Sequence, residues 1–154
     1  MNAIIKEIEA MQSITTGRQN QYYTDILKTA KPVNVVSVKD VFTPEEVSLI
    51  KKRIRPKKKQ CYRNATLLTY LFPNVMYIEG KAMPENFFPI DHAFNKVGDF
   101  YIDITFELVL GEDVTKPDYV VLGEYDNNQV VEVADKTELW GGCYNYFWKK
   151  NKNI

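Results

Sequence analysis

Apolar residues at helical spacing mark the first part of the chain. Two groups repeat at intervals of one, three or four positions on either side of Gly17: Ile4, Ile5, Ile8 and Met11, then Tyr22, Tyr23, Ile26 and Leu27. This periodicity predicts two short amphipathic helices. Residues 33–38 instead alternate apolar and polar side chains, which predicts a short strand.

The next predicted helix has a clear start and a basic end. Thr43 is a good N-cap, Pro44 suits the first helical position, and Glu46 completes a capping box. We expect this helix to run to about Arg53. Residues 51–59, which we call the basic segment, then hold seven lysines and arginines around a helix-stopping proline, Pro56.

A further helix is predicted to begin at Cys61. Ala65, Leu68 and Phe72 follow the cysteine at offsets of four, seven and eleven, so all four residues share one helical face. Pro73 and the asparagine after it end this helix.

The second half of the chain has strand patterns. We expect strands at 75–79, 90–95 and 100–106, with a loop at 81–89 and a hairpin turn at 96–99. A second hairpin is predicted to pair 119–122 with 129–133 around an Asp-Asn-Asn turn at 126–128. The remainder is rich in aromatic residues.

Composition narrows the class of protein. The 154 residues fit one domain, and 45% hydrophobic with 26% charged residues is typical of a packed protein. Twenty basic residues balance twenty acidic ones, so net charge favours neither nucleic acid nor a membrane as partner. Residues 1–60 nevertheless hold 12 basic and 6 acidic residues, against 8 and 14 in residues 61–154.

The cysteines and the N-terminus indicate a reducing compartment. Two cysteines cannot form a disulfide framework, and their spacing does not match a zinc site, so we expect no metal. The first residues lack the pattern of a signal peptide, and no run of eighteen apolar residues occurs. We therefore expect a cytoplasmic protein, of a cell or of a virus-infected host cell, without a membrane partner.

Cys61 is the candidate nucleophile. A thiolate is the attacking form of cysteine, and a helix N-terminus beside a basic segment favours that negative charge. His92 is the only histidine of the chain and the candidate base. Backbone amides at the start of the helix, with a side-chain amide from either Gln60 or Asn64, are candidates for an oxyanion hole.

Hairpin register brings a carboxylate to the histidine. A two-residue loop at 97–98 or a four-residue loop at 96–99 would place His92 directly opposite Asp103. The four-residue loop is preferred, because Val97 is a poor residue for positive φ. Opposed residues share a face with Cβ atoms ~4.5–5.5 Å apart. Asp103 is then placed to orient the imidazole, whereas a three-residue loop would destroy the match. Asp91, on the other strand face, is a weaker candidate.

These residues resemble a known superfamily. Cys61 with Ala65 four positions later, then residues 77–80, 92–94 and 103–105, in that order, is similar to the core of the transglutaminase-like, papain-related cysteine enzymes. The family often has tryptophan at the position of Phe94 and a small residue at that of Gln60. The resemblance implies a transglutaminase-like or papain-like core in which the cysteine starts a helix and the histidine and aspartate come from neighbouring strands.

The resemblance also implies a reaction. Members run acyl transfer or amide hydrolysis through a thioester or related acyl-enzyme, as peptidases, amidases or transglutaminases, so the expected activity needs no cofactor. The expected fold is a single α+β domain over 1–154, with N-terminal helices (1–59) and the Cys-bearing helix packed on a mostly antiparallel sheet. Residues 60–106 form the expected catalytic core, and 107–154 the C-terminal hairpin and aromatic segment.

Substrate and partners are less defined. A protein or peptide substrate is expected, with Trp140 and Tyr146 as candidates for lining its groove and Cys143 as a core thiol. The main alternative is an inactive protein of the same fold that binds a partner through the basic segment, with nucleic acid a weaker possibility. An acetyl-coenzyme A-dependent transferase with the same triad is another alternative, although no coenzyme motif is recognisable.

Overall fold

The computed structural model of this protein describes residues 2–152 and has an α+β architecture. Its α-helices are α1 (Ala3–Ile14), α2 (Gly17–Thr29), α3 (Pro44–Arg53), α4 (Cys61–Leu71), α5 (Asn127–Thr137) and α6 (Cys143–Asn151). Its strands are β1 (Lys31–Val33), β2 (Met76–Met83), β3 (Ile90–Val97), β4 (Phe100–Ile102) and β5 (Asp118–Tyr125). A single 3₁₀ turn (Val38–Asp40) and a π-helix (Thr105–Val109) complete the described elements.

The five strands form one antiparallel sheet in the order β1-β5-β2-β3-β4. The central strand, β2, pairs with β3 on one side and β5 on the other, and its register with β5 shifts between Glu79 and Gly80. A Cβ atom at Gly80 would lie only 1.9 Å from the carbonyl oxygen of Val120. Only glycine therefore permits this close approach of the two backbones.

Helix α4 is held against the sheet by its apolar face. Ala65 packs with Tyr77 of β2 and Ala93 of β3, and Leu68 is buried in a second cluster with Ile50 of α3. Because α4 crosses the strand that carries His92, this packing fixes the start of the helix near that strand. Helices α1 and α2 cover a different part of the sheet, on β5.

Several local predictions are confirmed. Both N-terminal helices are present, and α3 begins with the predicted capping box: the Thr43 hydroxyl accepts from the Glu46 amide at 3.1 Å, and the Glu46 carboxylate accepts from the Thr43 amide at 2.9 Å. Helix α4 begins at Cys61, as expected. These features depend on residues only a few positions apart, so the sequence alone is enough to predict them.

The predicted second hairpin is wrong. Residues 127–137 form helix α5, because Asp126 is its N-cap and makes a reciprocal capping box with Gln129. The buried side chains of Val130 and Val133 then lie on one helical face. The C-terminal aromatic segment is also helical, as α6. The described residues from 107 to 152 therefore contain the end of the π-helix, a strand and two α-helices rather than a hairpin.

Two strand predictions in the N-terminal and central parts also need correction. The strand expected at 33–38 is displaced to β1, and beyond it only Val35 forms an isolated bridge, to Tyr101. The strand expected at 100–106 ends at Ile102, where the chain turns into the π-helix. Within residues 2–152, no helix is both long enough and apolar enough to cross a membrane.

Candidate active site

Cys61 opens α4 at the edge of a cleft, with its side chain partly exposed. Gln60 precedes it as the N-cap residue, and the Gln60 carbonyl accepts the Asn64 amide at 2.8 Å. Within the described chain, the backbone N–H groups of Cys61 and Tyr62 have no acceptor, as is usual in a first helical turn. The thiol therefore lies beside free amide donors and the positive end of a helix dipole.

Asn64, one of the two candidate oxyanion donors, is fully committed elsewhere. It is completely buried, and its Nδ2 donates to the Lys57 carbonyl at 2.9 Å and to the Thr105 hydroxyl at 3.0 Å. Its Oδ1 accepts from the Lys57 amide and from Arg63. This residue anchors the loop before α4 and leaves no donor for a substrate, so its predicted role is wrong.

Gln60, the other candidate, remains compatible with the predicted role. Its side chain is exposed and makes no hydrogen bond with the part of the chain that the structure describes. The side-chain amide is therefore a free donor next to the Cys61 backbone amide. Sequence reasoning left the choice between two amides open; the hydrogen bonds of Asn64 leave Gln60 as the candidate.

His92 lies on β3 and is only 2% exposed. Its Nε2 atom donates to Oδ2 of Asp103 over 2.7 Å. The ring rests on Phe106, with the two ring centroids 4.3 Å apart. The hydrogen bond and the aromatic contact together fix the orientation of the imidazole, and Nδ1 is the ring nitrogen left for another partner.

The predicted contact between His92 and Asp103 is present, but the register predicted to produce it is wrong. The hairpin turns through two residues, Gly98 and Asp99, with a positive φ of 60° at the glycine. Val97 therefore pairs with Phe100, which shifts the register by two residues from the predicted one. An even shift keeps side chains on the same face, so Asp103 stays on the side of His92.

Asp103 follows the last residue of β4 and caps the π-helix. Its Oδ1 accepts from the backbone amides of Thr105 and Phe106 at 3.1 and 3.0 Å. Its Oδ2 accepts from His92 and, at 2.8 Å, from the hydroxyl of Tyr119. Four hydrogen bonds thus satisfy a carboxylate that has no exposed surface.

Tyr119 is a site residue that sequence reasoning missed. It lies on β5, two strands away from β3, and is completely buried. Burial, and after it the charge of Asp103, raises the pKa of Tyr119 far above its ordinary value, so the phenol remains a neutral donor. No local pattern marks this tyrosine, because its contact depends on the order of strands in the sheet.

The protonation of His92 is set by two opposing influences. Burial is the largest and lowers its pKa, but the charge of Asp103 and the hydrogen bond to it outweigh burial and raise the pKa from 6.5 to about 10. Near neutral pH the ring is therefore an imidazolium paired with a carboxylate. An imidazolium favours a thiolate at a neighbouring cysteine.

Cys61 and His92 are neighbours. The thiol adds to the rise in the pKa of His92, through a hydrogen-bonding interaction and through charge, and both side chains line the same cleft. Among the described hydrogen bonds, none of standard geometry joins the thiol to the ring. Such a loose approach is common in catalytic pairs before a substrate binds.

The cleft beside Cys61 has a volume of about 530 Å³. Its walls come from the basic segment, the loop after β2, the start of β3 and the π-helix with the loop after it. Asp91 lines it but is exposed, and its Oδ1 accepts from Lys81 at 2.7 Å. Asp91 therefore does not orient His92, which agrees with its place as the weaker candidate for that role.

Trp140 and Tyr146, the candidates for a substrate groove, do not line this cleft. Trp140 is exposed in the connection between α5 and α6. Tyr146 packs edge-on against Phe147 and interacts with Glu132 on α5. The aromatic residues that line the cleft are instead Tyr62, Phe87 and Phe106. The sequence predicted these residues to lie in a helix, a loop and a strand, respectively.

No family model matches the chain, and no curated protein or solved structure is significantly similar to it. Across residues 2–152, no group of three or more histidine, cysteine, aspartate and glutamate side chains is arranged to hold a metal ion.

Proposed function

We propose that this protein is a cysteine-dependent enzyme that cleaves or transfers an acyl group from an amide or similar bond. The observation that carries the proposal is the buried His92–Asp103 ion pair beside the partly exposed thiol of Cys61, at the mouth of a cleft. Nucleophilic catalysis by cysteine needs a thiol, a base within reach and a group that orients the base.

The proposed reaction has two half-steps. The Cys61 thiolate attacks the substrate carbonyl, and the resulting oxyanion accepts hydrogen bonds from the Cys61 backbone amide and the Gln60 side chain. The imidazolium of His92 gives its proton to the leaving amine as the carbon–nitrogen bond breaks, which leaves a thioester. Neutral His92 then takes a proton from water, or from an acceptor amine, as that nucleophile releases the acyl group.

The arrangement also supports membership of the transglutaminase-like superfamily as part of the proposal. The candidate nucleophile starts a helix that packs on a sheet, the histidine lies on β3, and the aspartate directly follows the adjacent strand, β4. In this proposal the substrate is a protein or peptide, because the cleft is open to solvent and lined by both apolar and charged side chains. A cytoplasmic location, where the thiol stays reduced, belongs to the same proposal.

Amine release from a library of fluorogenic peptide amides tests this function. We expect turnover that falls by roughly 10²-fold or more in Cys61→Ala and in His92→Ala, since each removes a reacting group. A thioester on Cys61, trapped by rapid acid quench and cleaved by hydroxylamine, is expected in mass spectra of tryptic peptides. Cys143→Ala is the matched control and should retain activity, and turnover that survives the loss of Cys61 would refute the proposal.

One observation favours the alternative of an inactive binding protein. In the described chain, none of the seven lysines and arginines of the basic segment forms an ion pair. Iodoacetamide separates the two functions: fast modification of Cys61 that slows in His92→Ala supports the enzyme, and an inert thiol supports the binder. If nucleic acid were the partner, affinity should fall steeply with added salt.

A further inference from the structure

The cleft beside Cys61 has an apolar wall that is open to solvent. Phe87 is 56% exposed and Leu110 is 39% exposed, and Ile90 and Phe106 line the same cleft. Phe88, which is 76% exposed, stacks edge-on against Phe87. Single exposed apolar side chains are normal, but a group of them around a concavity is typical of a binding site.

One rim of this cleft is basic. Lys58 and Lys59, the last two cations of the basic segment, line it, and both are exposed and form no ion pair with residues 2–152. Lys59 also has a positive φ of 61°, an uncommon backbone conformation for a residue other than glycine. The chain thus places two unneutralised positive charges directly beside the candidate nucleophile.

Another rim is acidic. Glu85 and Glu112 line the cleft as well, are exposed, and form no ion pair within the described chain. Both also line an adjoining hollow of about 280 Å³, to which Asp113 and Lys116 contribute but neither Lys58 nor Lys59 does, so three acids face one lysine there. The remaining acid of the cleft, Asp91, is neutralised by Lys81. Positive and negative charges are therefore segregated at the two rims.

We propose that the substrate of this site is a peptide with an apolar side chain flanked by acidic residues on one side and basic residues on the other. This inference rests on the proposed function and adds its substrate class. The apolar side chain packs on Phe87, Phe106 and Leu110, the acidic flank meets Lys58 and Lys59, and the basic flank meets Glu85 and Glu112. The carbonyl of the apolar residue must lie at the Cys61 backbone amide while its side chain packs on the apolar wall, which fixes the backbone direction. The segregated charges then select one order of the two flanks.

Two peptides of the same composition but opposite residue order test this proposal. A peptide with acidic, aromatic and basic residues in that order, and its reverse, have the same net charge and the same apolar content. In one order both flanks meet opposite charges, and in the other both meet like charges. Exposed pairs are individually weak, so we expect about a fivefold difference in dissociation constant between the two orders, decreasing as salt is added.

Fluorescence anisotropy on the Cys61→Ala protein measures this binding without turnover. The probes are two labelled peptides, aspartate-aspartate-glycine-phenylalanine-glycine-lysine-lysine and its reverse, with a third peptide in which serine replaces the phenylalanine. We expect one order to bind about fivefold more tightly than the other, and the serine peptide to lose most of its affinity. Equal binding of the two orders at low salt would overturn the inference.

Charge exchange in the protein provides the second arm. The variant with Lys58→Glu, Lys59→Glu, Glu85→Lys and Glu112→Lys is expected to prefer the opposite order. Lys51→Glu with Lys52→Glu is the matched control, because these lysines belong to the basic segment but lie outside the cleft. An equal effect of the control on the order preference would show that lysines outside the cleft contribute as much as those inside it, and would overturn the inference.

Two further readouts keep the result unambiguous. If the fourfold variant does not fold by circular dichroism, Lys58→Glu with Lys59→Glu alone should reduce the order preference by half or more, and an unchanged preference contradicts the proposal. Tighter binding of single-stranded DNA than of either peptide would also contradict it. Because Cys61→Ala cannot turn over, peptide binding can succeed while the proposed chemistry fails, so the two failures are distinguishable.

Discussion

The two cysteines of this protein occupy the same kind of position in opposite environments. Cys61 and Cys143 each begin a helix whose N-cap residue makes no side-chain capping bond. Cys61 is partly exposed beside the imidazolium of His92, whereas Cys143 is 1% exposed and lies against the carboxylate of Glu79. A helix N-terminus is common to both, so it cannot be what distinguishes a reactive thiol.

The charge next to each thiol differs, and we expect this difference to decide which of the two reacts. Glu79 caps α6 by accepting from the Cys143 amide at 3.1 Å and from the Tyr144 amide at 2.9 Å, and it also accepts from the Tyr77 hydroxyl. Burial, followed by the charge of Glu79, raises the pKa of Cys143 well above its ordinary value. Cys143 is therefore a protonated core thiol, and its helix dipole is already neutralised by a carboxylate.

The largest expected effect separates the two cysteines directly. With iodoacetamide at neutral pH, the native chain should be modified once, at Cys61. Modification should disappear in Cys61→Ala and be unchanged in Cys143→Ala, because a buried neutral thiol does not react. Intact-protein mass spectrometry gives the count, and labelling of Cys143 in the native chain would contradict the contrast.

Removing the orienting carboxylate comes next. In Asp103→Asn the ring of His92 loses the charge that keeps it protonated, so we expect the alkylation rate of Cys61 at neutral pH to fall about tenfold. Asp91→Asn is the matched control, since this neighbouring aspartate faces Lys81 and should leave the rate unchanged. Equal rates in the two variants would show that Asp103 does not act through His92.

Glu79→Gln tests the other half of the contrast. The substitution removes a buried negative charge that accepts three hydrogen bonds, so unfolding in urea should show a loss of about 1–3 kcal/mol in the free energy of unfolding. The alkylation rate of Cys61 should stay the same, because Glu79 belongs to the environment of Cys143. A changed rate at Cys61 with unchanged stability would reverse the roles assigned to the two carboxylates.

Tyr119→Phe should have the smallest effect. It removes one hydrogen bond to Asp103 Oδ2 and leaves the other three, so we expect a loss of about 1 kcal/mol in stability and a two- to threefold slower alkylation of Cys61. Tyr101→Phe is a control for loss of a tyrosine hydroxyl elsewhere in the sheet, where the partner is Glu124. If alkylation of Cys61 slowed equally in Tyr101→Phe, the effect would not be specific to Tyr119, and Tyr119 would have no role in the site.

Local features of the fold were predictable, and contacts between distant strands were not. The start of α4 at Cys61 follows from the spacing of Ala65 and Leu68 and the proline before it. Asp126 and the two asparagines after it were interpreted as a hairpin turn, but the same aspartate is an equally good N-cap. The capping box with Gln129 and the buried face of α5 decide in favour of the helix.

The candidate site shows the same division. His92 and Asp103 were predicted to meet, and they do, although by a register two residues from the predicted one. The contact survived because side chains alternate along a strand, so that an error of two positions leaves the face unchanged. Tyr119 and the cleft residue Phe87 had no local signal, since their positions depend on strand order and on how loops fold over the sheet.

The pH dependence of Cys61 alkylation, in the native chain and in His92→Ala, tests the central claim most directly. The pKa of His92 is raised to about 10, so the imidazolium is present below that pH and is lost as the pH rises through it. The native chain should therefore react about tenfold faster than His92→Ala near pH 7, with the ratio approaching one above about pH 10. A ratio near one at pH 7, or one that grows as the pH rises, would contradict the account.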